Sequence, residues 1–284
     1  MPTAPERLRA ALLASPLCVG IDPHAGELAA WGLPDTAAGA REFSLRLLEA
    51  VTASGACGVL KPQVALFERF GAAGYAVLEE VLAAAGEAGL FTIADAKRGD
   101  IGSTMAGYAE AWLSPASPLR SDAVTVSPYL GFGSLEPVVA AADEHDGLAF
   151  VLALTSNPSG PQVQHAVTAS GASVAATMAA EAAGAAFAGP APRLGLVVGA
   201  TVGSAAQDLG IDLAGFAGPV LTPGYGAQGA GGEELRALFG DAGAEGRLAV
   251  NSSRGISGAG PELAALTAAI SRTAGELRGA LGLD

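Results

Sequence analysis

Eight short apolar runs, each followed by a helix-like segment, set the architecture of this chain. They are Leu17 to Pro23, Cys57 to Lys61, Phe91 to Asp95, Asp122 to Ser127, Leu148 to Thr155, Leu194 to Thr201, Pro219 to Gly224 and Arg247 to Asn251. Most do not alternate apolar with polar residues, which is the pattern of parallel strands covered on both faces. Eight strand–helix repeats in 284 residues point to an α/β fold, a (β/α)8 TIM barrel, as a single domain over residues 1–284. An N-terminal helix from Glu6 to Ala14 precedes the first strand, with Leu8, Leu12 and Leu13 on one face. Phe43, Leu47 and Leu48 give a helix over Ala37 to Ser54 its inward face. The last helix runs from Pro261 to Leu281. One irregularity is an insert after strand five, about 156–193, with a helix expected from Ser170 to Phe187. An open doubly wound sheet is the competing architecture. Its glycine-rich phosphate loop is missing, because the first strand ends Gly20-Ile21-Asp22-Pro23-His24-Ala25-Gly26, not GxGxxG.

Composition narrows the function. Half the residues are hydrophobic and only 15% are charged, so the chain is compact rather than disordered. Acidic residues outnumber basic ones 28 to 15, a balance that disfavours a general nucleic-acid partner. A small anion can still be held by a few local donors. Cys18 and Cys57 sit in apolar runs and read as buried small hydrophobes, with no spacing that suggests zinc. His24, His145 and His165 show no paired geometry, and His145 reads as a solvated helix end. The N-terminus lacks an apolar signal core and no charge-free run reaches membrane-spanning length, so a soluble cytoplasmic protein is expected.

In a barrel of this kind the C-terminal strand ends share one face, which carries the active site. The polar residues expected there are Asp22, Lys61, Asp95 with Lys97, Ser127, Thr155, Thr201, Thr222, and Asn251 with Arg254. Thr155, Thr201, Thr222 and Asn251 read as residues that face water. Lys61, Asp95 and Lys97 do not, because each abuts an apolar strand where an unpaired charge is costly. Asp95 and Lys97 are two apart and, on a strand, point to the same side. The loops Thr222 to Gly229 and Asn251 to Ile256 follow strands seven and eight, the usual phosphate site of barrel enzymes. Glycines let the backbone approach an anion there, and Arg254 adds a bidentate donor.

The stretch Asp95-Ala96-Lys97-Arg98-Gly99-Asp100-Ile101-Gly102-Ser103-Thr104 resembles the DxKRxDIxxT signature of the orotidine 5'-phosphate decarboxylase family. The likeness extends to Gly20-Ile21-Asp22-Pro23, Lys61, Pro128-Tyr129-Leu130-Gly131, Thr222-Pro223-Gly224-Tyr225 and Ser253-Arg254-Gly255-Ile256. The run Lys61-Pro62-Gln63-Val64-Ala65-Leu66-Phe67-Glu68 and the insert after strand five resemble the family's longer second subgroup. The resemblance implies conversion of orotidine 5'-phosphate to uridine 5'-phosphate, the last step of de novo pyrimidine synthesis, with no metal and no organic cofactor. It also implies a homodimer in which Asp100 and Thr104 reach the neighbouring subunit's site. It gives Lys61 the task of holding Asp95 and the ribose hydroxyls. Asp22 would also bind ribose hydroxyls, Ser127 would contact the pyrimidine, Gln228 would bridge pyrimidine and phosphate, and Arg254 would grip the phosphate.

The chemistry suits these groups. Loss of carbon dioxide from C6 leaves a carbanion with no adjacent electron sink, which needs fixed positive charge and then a proton. Lys97, between Asp95 and Asp100, supplies both, since neighbouring carboxylates favour the ammonium. The glycine-rich loop after strand seven is the candidate lid. Two rivals remain in view. A magnesium-dependent enzyme acting on keto-sugar phosphates would share DxKxxD, but Arg98, Thr104 and Gln228 argue against it. A non-catalytic nucleotide-binding barrel would need the phosphate loops but not Lys97.

Overall fold

The computed structural model describes residues 2–186, 192–226 and 231–283. Eight parallel strands form a closed barrel in sequence order: β1 Leu17–Ile21, β2 Val59–Pro62, β3 Phe91–Arg98, β4 Ala123–Val126, β5 Leu148–Leu154, β6 Leu194–Val198, β7 Val220–Pro223 and β8 Leu248–Ser252. β8 closes on β1, with Val250 opposite Leu17 and Ser252 opposite Val19. The (β/α)8 expectation therefore holds. Each expected run coincides with a strand; β2 and β8 continue one residue past Lys61 and Asn251, and β3 three residues past Asp95.

The uniform apolar character of the strands has a simple cause. Successive side chains of β1 alternate between two buried environments. Leu17, Val19 and Ile21 pack outward under the helices, whereas Cys18 packs into the barrel with Val59, Ile93, Phe150 and Leu221. Phe150 fills space that Gly195 leaves open, since a Cβ on Gly195 would lie 2.6 Å from the phenyl ring. Removing a fully buried ring of this kind costs about 3–5 kcal/mol.

The N-terminal helix, Ala4–Ala14, plugs the end of the barrel opposite the strand C-termini. Its Ala4, Leu8 and Leu12 belong to the same cluster as the barrel interior. Arg7 ties it to Asp122 at 2.8 Å, just before β4. The helix Ala37–Ser54 matches its expected bounds. Thr36 Oγ1 accepts the Gly39 N–H at its start, and Gly55 ends it at φ 59°. Its Phe43 and Leu47 are buried and Leu48 is half-buried. The closing helix, Leu263–Leu281, packs beside it. In the segment after β5, helices cover Pro161–Gln164 and Val174–Ala186. The expected end of the second helix, Phe187, lies outside the described residues. No helix among the described residues is long and apolar enough to cross a membrane. Cys18 and Cys57 are buried free thiols, and Cys57 donates to the carbonyls of Leu17 and Val59. Burial pushes the Cys57 thiol up to about 11.

Candidate active site

A cavity of about 520 Å³ opens at the C-terminal ends of the strands. Its floor is apolar, formed by Leu152, Val197 and Leu221 from β5, β6 and β7, and its wall carries Asp22, Lys61, Asp95 and Lys97. Pro223, Gly224 and Tyr225 at and after β7 and Asn251, Ser253 and Arg254 at and after β8 line the opposite part. Such a cavity, apolar below with a few converging charges above, suits a small polar ligand.

Asp95 is the hub. It is only 8% exposed, and Lys61, 2% exposed, donates to its Oδ2 at 2.8 Å. Lys97 donates to Oδ1 at 2.5 Å, and the Thr125 hydroxyl donates to the same oxygen at 3.0 Å. Burial alone would raise the Asp95 carboxyl, but the Lys61 and Lys97 ammonium groups hold it well below the ordinary carboxylate range. Burial would likewise lower Lys61, yet Asp95 and Asp22 outweigh it and raise Lys61 above its usual value. Both groups are therefore ionised at neutral pH. Asp22 Oδ1 is buried with no hydrogen-bond partner, 3.9 Å from the Lys61 Nζ. A buried oxygen of this kind is an acceptor waiting for a donor. Lys97 stands apart from Lys61 because its side chain is 44% exposed towards the cavity.

The backbone that carries this array is not a regular strand. Ala94 pairs with Val124 and Arg98 with Val126, so Asp95, Ala96 and Lys97 together face one residue of β4, Thr125. Such a bulge re-aims side chains beside active sites. Lys97 takes φ 49°, a left-handed conformation that costs a non-glycine residue about 1–3 kcal/mol. Asp95 and Lys97 do meet on one side, through this bulge rather than by strand alternation. Arg98 braces the same segment. It pairs with Glu68, which also accepts from Tyr75 at 2.5 Å, and its guanidinium lies over the Tyr108 and Trp112 rings.

Of the residues singled out in the sequence, the fold brings Asp22, Lys61, Asp95, Lys97 and Arg254 to one cavity. Asp100, Thr104 and Ser127 are not among its lining residues. Asp100 Oδ1 accepts the Ile101 N–H at 2.8 Å and Thr104 is exposed on the helix Gly102–Leu113. Ser127 is half-buried, its N–H donating to the Arg98 carbonyl at 2.7 Å. Gln228 and the distal part of the expected lid, from residue 227 on, lie outside the described residues.

Two expectations need correction. Thr222 is fully buried with an unpaired hydroxyl, and Asn251 is buried and donates to the Cys18 carbonyl at 3.1 Å. Neither faces water: Asn251 shares the inward face of β8 with Ala249, and Thr222 shares the outward face of β7 with Val220, under the helices. Thr155 is half-buried on the cavity wall, and only Thr201 is exposed. Sequence reasoning also passed over Thr125 and Gln63. Gln63 sits two residues after Lys61 and reaches the Asp95 carbonyl at 3.4 Å. Its signal was that spacing. The signal for Thr125 was a lone hydroxyl between Val124 and Val126.

Comparisons with known proteins agree with this geometry. A family model described as "Orotidine 5'-phosphate decarboxylase / HUMPS family" matches residues 15–269. An orotidine 5'-phosphate decarboxylase of Streptomyces coelicolor is 53% identical over 269 residues, covering 94% of this chain and 93% of that protein. One from a Nocardioides species is 53% identical over 250 residues, covering 84% and 87%. The solved structure of Leishmania donovani OMP decarboxylase superposes with a TM-score of 0.79 at 31% identity, over 99% of this chain and 100% of the other. With the family model running from before β1 into the closing helix, and relatives at half identity over nearly the whole length, this chain belongs to the orotidine 5'-phosphate decarboxylase / HUMPS family.

Proposed function

We propose that this chain is a carbon–carbon lyase that decarboxylates orotidine 5'-phosphate to uridine 5'-phosphate, the closing step of de novo UMP synthesis. The observation that carries the proposal is the Lys61–Asp95–Lys97 array. It holds two ammonium groups on one buried carboxylate, with the second ammonium left open to the cavity. Family membership alone does not separate this activity from those of other members. The relatives that share half their residues with this chain bear the decarboxylase name.

In this mechanism the nucleotide lies with its phosphate near Ser253 and Arg254 and its C6 carboxylate above Asp95. Arg254 grips the phosphate through its fork of donors. The unpartnered Oδ1 of Asp22, beside Lys61, accepts from a ribose hydroxyl. The C6–carboxylate bond breaks, its electron pair stays on C6, and carbon dioxide departs. The Lys97 ammonium, already fixed by Asp95, stabilises that charge without reorganising and then transfers a proton to C6. Solvent restores the proton to Lys97. Phosphate binding, remote from C6, drives closure of the β7 loop and so contributes to lowering the barrier. Gln228 joins the pyrimidine and phosphate ends in the closed state, and Ser127 contacts the base.

Asp100 and Thr104 serve a second subunit. Both lie off this chain's own cavity, and large apolar side chains are exposed between them in sequence and in the loop after β4. Ile101 is 62% exposed and Tyr129 77% exposed, with Leu130 beside it. Large apolar side chains left this exposed are what a partner subunit would cover. The working unit is therefore a homodimer of single-domain barrels, soluble in the cytoplasm and needing neither metal nor organic cofactor. The test is an ultraviolet assay of orotidine 5'-phosphate turnover with and without a chelator. Full activity in chelator is expected. Turnover only of a keto-sugar phosphate, abolished by chelator, would replace this proposal with the magnesium-dependent alternative.

A further inference from the structure

We propose that Thr125 is a positioning residue for the decarboxylation, locking the Lys97 backbone and the Asp95 carboxylate into one geometry through a single hydroxyl. The inference rests on the decarboxylase function proposed above and adds to it a residue on the neighbouring strand.

The Thr125 side chain is fully buried at the middle of β4, where its neighbours Val124 and Val126 are apolar and buried. Its hydroxyl has one proton to give and lone pairs to receive. It donates to Asp95 Oδ1 at 3.0 Å and accepts the Lys97 N–H at 2.9 Å. Asp95 Oδ1 is the oxygen that holds the Lys97 ammonium at 2.5 Å. The hydroxyl thus closes a ring running from the Lys97 amide, through Thr125, to the Asp95 carboxylate and back to the Lys97 side chain.

The ring sits where the strand pairing breaks. Three residues of β3, Asp95 to Lys97, face Thr125 alone, so the Lys97 N–H has no carbonyl of a regular ladder opposite it. The Thr125 hydroxyl takes the place of that carbonyl. It also pins a residue in the left-handed region, at φ 49°, that a lysine seldom adopts unaided. Relaxing that backbone would swing the ammonium away from C6. Placement errors of about 1 Å at a reacting group cost on the order of a hundredfold in rate. Binding of the nucleotide, held by the phosphate and ribose contacts, would change little.

The test compares Thr125→Val, which keeps the shape and removes the hydroxyl, with Thr125→Ser, which keeps the hydroxyl. In Thr125→Val, kcat should fall about ten- to a hundredfold while KM stays within about threefold. Thr125→Ser should recover most of kcat. A merely structural residue would instead lower the unfolding midpoint and leave kcat of the folded fraction unchanged, which would overturn the inference. Amide hydrogen exchange at Lys97 gives a second readout that needs no substrate. Protection should drop in Thr125→Val and persist in Thr125→Ser, and equal protection in both would also overturn it. A parent chain that fails to turn over orotidine 5'-phosphate would sink the proposed function, with the exchange measurement still deciding the role of Thr125.

Discussion

Replacing Lys61 by methionine keeps most of the side-chain volume and deletes one charge from the buried array. At 2.8 Å, with an effective dielectric of about 20, the Lys61–Asp95 attraction is about 6 kcal/mol before desolvation is subtracted. Removing one partner of a buried pair typically costs about 3–5 kcal/mol, because the other charge is left uncompensated. Here Asp95 keeps Lys97 at 2.5 Å and Thr125 at 3.0 Å, so the low end applies, about 3 kcal/mol. For a chain of this size that corresponds to a Tm lower by roughly 6–12 °C. The assay is urea unfolding followed by circular dichroism at pH 7 and fixed protein concentration. The double variant Lys61→Met with Asp95→Asn removes both charges and should regain about 2 kcal/mol relative to additivity. The pH dependence follows in sign. A carboxyl held below its unfolded value contributes stability that is whole above about pH 4 and is lost as pH falls through its folded value. In Lys61→Met the folded value of Asp95 climbs, so the parent's extra loss of stability in acid should shrink. A single variant within about 1 kcal/mol of the parent, with an additive double variant, would refute the coupling.

Other outcomes follow from the same geometry. Arg254→Ala should lower kcat/KM by about a hundredfold or more and should lower kcat as well. A normal kcat with only a raised KM would show that phosphate binding does not assist the chemistry. Lys97→Ala and Asp100→Ala chains, each inactive alone, should regain partial activity when mixed and allowed to exchange subunits. Mixtures as dead as either parent would contradict a site shared across a dimer.

The eight strands were legible because a closed barrel buries both faces of every strand, leaving apolar runs that few other folds produce. The array was legible in part. Asp95, Lys97 and Lys61 declare themselves as charges set against apolar strands. The bulge did not, because nothing in Asp95-Ala96-Lys97 announces a lysine at positive φ, a conformation usually signalled by glycine. Thr125 was hidden for a related reason. Threonine is a good strand former, so a hydroxyl in Val124-Thr125-Val126 looks like ordinary β-propensity until the opposing strand is in view. Thr222 and Asn251 were misread because both faces of a strand are covered in a closed barrel, so a polar residue near a strand end is buried whether it points inward, as Asn251 does, or outward under the helices, as Thr222 does. The loop after β8, to which phosphate binding is proposed, was visible as Ser253-Arg254-Gly255, but not what lets it approach β1. A Cβ on Gly20 would lie 1.9 Å from Ser253 Oγ, so only glycine admits it.

In the proposed reaction the ammonium of Lys97, fixed by Asp95, carries the chemistry. The most direct test is orotidine 5'-phosphate turnover by the parent chain and by Lys97→Ala, alongside uridine 5'-phosphate binding by both. The parent should convert the substrate, and the variant should lose more than about a thousandfold in kcat while keeping nucleotide affinity within about tenfold. A Lys97→Ala chain that turns over within tenfold of the parent would contradict that role for Lys97.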